Sequence, residues 1–241
     1  NNGELWGSVW ENGIFNYEKF KEVVAITHRF LDNTVTLGEF PLSENKSVAE
    51  RGRRIGIGTI GFAHALIELK IKYGSEEHIE FIEKVYSIMR DTAYLASAST
   101  AEEKGCFPAY TPSYLDTPWA KRLPRHIKNK IKLSGMRNVA LLSCPPCGDT
   151  GIFTNLSNGI EPIPSKKFTR GTKHKFLDPL YEKYEGDKNY EPYFIGMYDV
   201  TPEQHLKIQS EIQIYIDNSI TKTVNVAKGK ENNFKKAILS E

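Results

Sequence analysis

Apolar positions recur at three- and four-residue spacing through Phe20, Val23, Val24, Phe30 and Leu31, with Thr27 in the same register and Asn16 ahead of them. That pattern predicts a helix over roughly 17–33, capped by Asn16, with one apolar stripe. Residues 38–52 are polar, contain Pro41 and are expected to be irregular. Ile60, Ala63, Leu66 and Ile67 predict a second helix over roughly 58–70. A third is expected to start after Ser75-Glu76-Glu77 and run to about 104, where Gly105 stops it. Its apolar positions include Ile79, Ile82, Val85, Ile88 and Met89.

Four prolines between 106 and 124 predict mostly loop. Val139-Ala140-Leu141-Leu142, ended by Pro145-Pro146, reads as a short buried strand feeding a loop. Tyr193 to Tyr198 fits a strand or the edge of a helix. Thr201-Pro202-Glu203-Gln204 carries a capping box with proline at the first helical position. The helix it opens has Ile208, Ile212, Tyr215 and Ile216 on its buried face. Ser219 to Val226 alternates polar and apolar, as a strand does. The tail from Lys228 to Glu241 is charged. Long helices interspersed with short apolar runs predict an α/β architecture.

The 241 residues suffice for one large domain or two small ones. With 32 basic against 30 acidic residues, the net charge of +2 gives no reason to expect a nucleic-acid or membrane surface. No run of about 18 apolar residues is present, so no membrane span is expected. Cys106, Cys144 and Cys147 are too few, and odd in number, for a disulfide scaffold. A reducing, cytoplasmic setting is the simpler expectation. Asn1-Asn2-Gly3-Glu4 has neither Met nor a signal pattern and reads as the start of a piece of a longer chain.

Gly56-Ile57-Gly58-Thr59-Ile60-Gly61 fits the dinucleotide fingerprint, but Glu50-Arg51-Gly52-Arg53-Arg54 before it form no apolar strand. A tight turn into a closely packed helix is the better reading. Cys144-Pro145-Pro146-Cys147 has redox-pair spacing, and its chemistry needs a thiolate stabilised at a helix N-terminus. A zinc site needs two further ligands, for which the spacing of Cys106, His174 and His205 gives no support. No metal site is predicted, and two thiols in a loop is the plainer account. From Pro146 to Pro162, small residues can align backbone amides into a nest for an anion, with Thr150, Thr154 or Ser157 adding hydroxyls. Asp149 opposes that unless it faces away. None of the six histidines pairs with another at i, i+4; His28 and His64 are expected to be packing or surface residues.

Several ordered segments resemble the catalytic subunits of ribonucleotide reductases. Arg29-Phe30-Leu31-Asp32-Asn33-Thr34-Val35 is similar to the family's R-x-L-D-N-x-I. Arg53-Arg54-Ile55-Gly56-Ile57-Gly58-Thr59-Ile60-Gly61-Phe62-Ala63 is similar to R-x-I-G-L-G-x-x-G-F-A, whose glycines begin a packed helix in the family. Ser97 to Pro108 resembles the S-x-x-L-A-x-E-K-G-x-F-P helix end. Arg137-Asn138, the strand, Pro146 to Gly151 and Ser157-Asn158-Gly159-Ile160-Glu161-Pro162 follow the family's R-N, P-T-G-T-x-S and S-x-G-I-E-P. Phe168-Thr169-Arg170 follows where the family often has Y-x-R. His205 to Asn225 resembles the closing helix and strand, ending Asp217-Asn218-Ser219-Ile220-Thr221-Lys222-Thr223-Val224-Asn225.

The resemblance implies residues 1–241 as one partial domain, the C-terminal half of a ten-stranded α/β barrel. It implies reduction of ribonucleotides through a cysteine thiyl radical, with Pro146, Cys147, Gly148, Asp149, Thr150 and Gly151 lining the substrate-phosphate subsite. The pattern is most like the adenosylcobalamin-dependent members; a di-iron radical-generating partner subunit is the alternative. The family's radical loop, N-x-C-x-E, does not occur in this sequence, so no catalytic residue is assigned and the chain alone is expected to be inactive. Expected partners are the N-terminal half of the same reductase and the ribonucleotide, in an assembly that a homodimer would suit. Hydroxyls are missing at 147 and 151 and an acid stands at 149, which leaves a second expectation: a non-catalytic nucleotide-binding relic of the same fold. A thiol oxidoreductase using Cys144 and Cys147 is a third.

Overall fold

The computed structural model describes residues 10–11, 14–145, 147–170, 174–226 and 229. A short hairpin, β1 (Trp10–Glu11) against β2 (Ile14–Phe15), leads into α1 (Tyr17–Leu37). Asn16 caps α1 as its sequence predicts, its side chain accepting the Lys19 N–H at 2.9 Å. α2 (Ser43–Gly52) and α3 (Phe62–Glu68) precede α4 (Glu76–Lys104), a 29-residue helix capped by Ser75. Ile82, Val85, Met89, Ala93 and Ala98 recur on α4 at helical spacing and are all but fully buried. A stripe of this kind is covered only by neighbours on several sides, and α1, α6 (Arg125–Ser134) and α9 (Pro202–Gln213) pack on it.

Between them lie α5 (Pro118–Arg122), α7 (Gly148–Thr154), the hairpin β3 (Lys167–Arg170) with β4 (His174–Leu177), and α8 (Pro179–Tyr184). Three isolated parallel bridges, Ile57 with Leu142, Cys144 with Ile220 and Ile163 with Gly196, complete the strand pairing found among the described residues. The first two line up three distant segments side by side. Ile57 N–H donates to the Leu141 carbonyl at 2.8 Å, Ser143 N–H to Ile57 at 2.9 Å, and Thr221 N–H to Cys144 at 3.3 Å.

The third and last predicted helices form, the third ended at Gly105 as expected, and the capping box of Thr201 and Gln204 is made in both directions. Ile208, Ile212 and Ile216 are buried as expected, with Tyr215 partly so. The second helix is shorter than predicted because Gly61, at φ +74°, is already its N-cap. Two expectations are corrected. Residues 43–52 are helical, not irregular: α2 has no buried face, its Val48 is exposed, and Lys46 pairs with Glu50 at 3.9 Å. Without an apolar stripe it gave no periodic signal. Within 106–124, expected to be mostly loop, a 3₁₀ turn (Pro112–Asp116) and α5 form, and beyond it α6 buries Ile127 and Ile131.

The strands expected at 139–142 and 219–226 are single bridges, and Tyr193–Tyr198 is a 3₁₀ turn (Glu191–Tyr193) followed by the bridge at Gly196. Burial nonetheless alternates from Ser219 to Thr223, with Ile220 and Lys222 inside. Helices therefore outweigh strands, and no closed or half-closed barrel is traced among the described residues. The runs at 55–57 and 220 each meet the 142–144 segment at a single parallel bridge. The predicted tail from Lys228 lies, Gly229 apart, outside the described residues.

Motif residues hold the helices together through a buried polar hub. The Asp32 carboxylate on α1 receives Nε and Nη2 of Arg53 at 3.0 and 2.8 Å, and Nδ2 of Asn138 at 3.2 Å. Arg137 Nε lies 3.3 Å from both its oxygens. Asn138 Oδ1 in turn meets His28 Nε2 and the Ser97 hydroxyl, both at 2.9 Å. Burial pushes the Asp32 carboxyl up, but the Arg53 bonds and charge, with Arg137 and Asn138, outweigh it and hold the group below its ordinary range. Arg53 is left-handed, with φ +47°, a conformation that costs an L-residue about 1–2 kcal/mol. Its ion pair offsets that strain.

Candidate functional site

The glycines at 56–61 serve packing. A Cβ on Gly58 would stand 2.5 Å from the Ser143 carbonyl oxygen, so only glycine lets this run lie against 142–144. The turn into a packed helix is thus the reading the structure bears out over the dinucleotide fingerprint. At the start of α3, the Ser157 hydroxyl oxygen accepts the N–H groups of Ala63 and His64 at 3.1 and 3.3 Å. The His64 ring answers: Nδ1 accepts the Ser157 N–H at 3.2 Å, which makes Nε2 the protonated nitrogen, donating to Asp178 Oδ2 at 2.9 Å. Asp178 Oδ1 caps α8 through the N–H groups of Leu180 and Tyr181. His64 thus locks α3, the 155–158 turn and the start of α8 in one arrangement.

Beside this lock is a pocket of about 290 Å³. Gly148, Gly151 and Asn155 to Asn158 form one wall, His64 and Asp178 another, and Glu161, Thr223 and Asn225 line it further round. Of the candidate loop, Gly148 and Gly151 face the pocket, whereas Cys147, Asp149 and Thr150 do not line it. Pro146 lies outside the described residues. Asp149 and Thr150 are exposed in the first turn of α7, where backbone N–H groups lack intrahelical partners. Asn158 Oδ1 accepts the Cys147 N–H and its thiol, each at 3.0 Å, and so ties the loop to the 157–162 turn. The hydroxyls of Thr154 and Ser157 are engaged within the chain, Thr154 donating to the Thr150 carbonyl at 2.8 Å.

The pocket floor rests on a buried ion pair. Glu161 Oε2 receives Lys222 Nζ at 2.7 Å, and Oε1 the Thr223 N–H at 2.7 Å. Burial drives the Lys222 ammonium below its ordinary range, and Glu161 opposes that. Tyr73 donates its hydroxyl to the Ile160 carbonyl at 2.6 Å, and Lys222 Nζ sits 5.6 Å from its ring centroid. Two elements 61 residues apart thus share one carboxylate and line one pocket.

Cys144 and Cys147 are free thiols. Burial, then the neighbouring Cys147 and Glu161, pushes Cys144 up to about 12, and burial also raises Cys147. Both shifts disfavour the thiolate that a redox pair needs. Among the described residues no group of three His, Cys, Asp or Glu is placed to hold a metal. No helix of the described residues is long and apolar enough to cross a membrane.

Sequence reasoning missed His64, Asp178, Asn158, Glu161 and Lys222 as site-builders. Asn158, Glu161 and Lys222 lie inside segments already singled out. His64 and Asp178 are 114 residues apart and carry no local signal.

Residues 7–240 match the family described as ribonucleotide reductase, barrel domain, and the chain belongs to that family. The vitamin B12-dependent ribonucleoside-diphosphate reductase of Thermoplasma acidophilum is 30% identical over 239 residues, covering 88% of this chain and 29% of that protein. The protein of the same description from Mycobacterium tuberculosis is 26% identical over 243 residues, 89% of this chain and 33% of its own length. The ribonucleoside-diphosphate reductase subunit alpha of Helicobacter pylori is 29% identical over 238 residues, 87% and 29% respectively. The chain spans about a third or less of these relatives.

Proposed function

We propose that this chain is the C-terminal part of a ribonucleotide reductase catalytic subunit, one partial barrel domain over 1–241, active when joined to the N-terminal half. In that assembly it holds the ribonucleotide's phosphates while a thiyl radical on the other half acts at the ribose. The carrying observation is the pocket itself: Gly148 and Gly151 line it at the N-terminal turn of α7, inside a chain that matches the family over 7–240. Glycine backbones allow close approach, and first-turn amides favour anions. His64 and Glu161 keep the walls in register without adding a catalytic group. Exposed Ile26, Phe30, Leu37, Val48 and Phe153 support a further packed layer from the complementing half. A homodimer of the assembled enzyme and a cytoplasmic location belong to the same reading.

Adenosylcobalamin, the radical source of the vitamin B12-dependent relatives' class, is the proposed cofactor, with a di-iron partner subunit as the alternative. The 290 Å³ pocket does not fit a corrin ring, so no residue of this chain is assigned to it and no step is drawn through it. Joining the purified halves and measuring deoxyribonucleotide formation tests the proposal. A folded complex that binds radical source and substrate yet makes no product overturns it.

A second reading, a nucleotide-binding relic, draws on exposed Asp149 in the first turn of α7 and on the absent hydroxyls at 147 and 151. Titration of the joined complex with ribonucleoside di- and triphosphates separates them, because a loop that has lost its task gives no saturation.

A further inference from the structure

The near-neutral total hides a segregated block. Between Pro118 and Ser134 stand Lys121, Arg122, Arg125, Lys128, Lys130 and Lys132 with no acid, which leaves 26 basic against 30 acidic residues elsewhere. Helix physics disfavours this arrangement. Arg125 lies in the first turn of α6, at the positive end of the helix dipole, and Lys128 and Lys132 are like charges four residues apart.

The charges converge on a concavity of about 470 Å³ lined by Lys121, Arg125, Lys128, Asn129 and Lys132, with Leu115 and Asp116 closing one side. Lys128 Nζ donates to the Lys121 carbonyl at 3.2 Å, which sets its ammonium at the junction of α5 and α6. Lys130, off this concavity, is paired with Glu102 at 2.7 Å. Among the described residues no carboxylate comes within ion-pair distance of Lys121, Arg125, Lys128 or Lys132. Asp116 is the single acid on the wall. Leu115 is the single apolar lining residue, and no aromatic ring is present to stack on a base.

We propose that this concavity binds a short chain of phosphates, whether inorganic polyphosphate or the tail of a nucleoside triphosphate. The Arg125 guanidinium can grip phosphate oxygens in bidentate fashion, and the lysines act as point charges along the chain. Seven residues of helix separate Arg125 from Lys132, about 10 Å of rise, a span that rewards linked phosphates over a single one. The site is independent of the pocket beside α7.

Calorimetric titration of the chain with inorganic tripolyphosphate, ATP and orthophosphate tests this. The expected result is saturable binding of tripolyphosphate and ATP within a few-fold of each other, with orthophosphate about ten-fold weaker or more. Arg125→Gln/Lys132→Gln should lose about ten-fold in tripolyphosphate affinity at unchanged circular dichroism, while Lys19→Gln/Lys21→Gln binds as the parent does. Four results overturn the proposal: no saturation; equal binding by the 125/132 variant; an equal loss in the 19/21 variant, which would mark general electrostatics; or ATP about ten-fold tighter than tripolyphosphate, which would mark base recognition.

Discussion

The Asp217 carboxylate accepts the Leu142 N–H at 2.8 Å through Oδ1, while its Oδ2 takes the Leu141 N–H at 2.8 Å and the Tyr94 hydroxyl at 2.7 Å. One side chain after α9 thus satisfies the backbone of the central run where no further strand does. Asp217→Ala leaves three buried donors without a partner and is expected to lower stability by about 3 kcal/mol, with Asp217→Asn recovering part of it. Urea midpoints at constant m-value check this.

The hub around Asp32 predicts an acid-sensitive fold. A carboxyl whose folded pKa is depressed contributes stability that is present above its unfolded pKa and lost as pH falls through the folded value. Asp32 is of this kind. Asp32→Asn should therefore flatten the acid limb of the stability curve below about pH 4. At neutral pH it should destabilise by about 3 kcal/mol or more, since Arg53 is left buried without its anion. A parallel acid limb in the variant would contradict this.

Two buried histidines predict a second pH window. His78 is held down to about 3 by burial and then by the Lys222 charge, and His205 to about 4 by the same causes in the same order. Among the described residues His78 Nε2 has no hydrogen-bond partner, and at His205 the Met197 backbone opposes the downward shift without outweighing burial. The unfolded chain takes up protons on both near pH 6.5 while the folded chain does not, so stability falls as pH drops. The expected slope is about 2.7 kcal/mol per pH unit between about pH 5.5 and 4.5, two protons' worth. Replacing His205 with Gln should halve the slope over that window, as measured by chemical denaturation at several pH values.

Gly151 offers a test of the proposed phosphate pocket. A Cβ there would meet the Leu156 carbonyl oxygen at 2.9 Å and push α7 off the 155–158 turn. In the joined enzyme, Gly151→Ala should raise KM for the ribonucleotide about ten-fold or more with a smaller change in kcat, the mark of lost ground-state binding. An unchanged KM would take the loop out of substrate binding.

Local spacing alone determined α1, α4 and α9 with their caps, because a helix is written in contacts three and four residues apart. Asn16, Ser75 and the Thr201–Gln204 box each need only their own next turn. Small-residue composition marked the 146–162 stretch, and resemblance marked the segments shared with the family, yet spacing left 43–52 as loop, because a helix without a buried face has no periodicity to read.

Tertiary structure decided the rest. Whether Gly56 to Gly61 cradles a nucleotide or packs a helix depends on Ser143, which lies on another segment. The pocket exists because His64 reaches Asp178 across 114 residues and Glu161 reaches Lys222 across 61. Such pairs form only after the chain has reversed several times, so no window of sequence contains both members. The predicted strands shrank to bridges for a related reason: alternation states which face is buried, but pairing length depends on neighbours the pattern does not name.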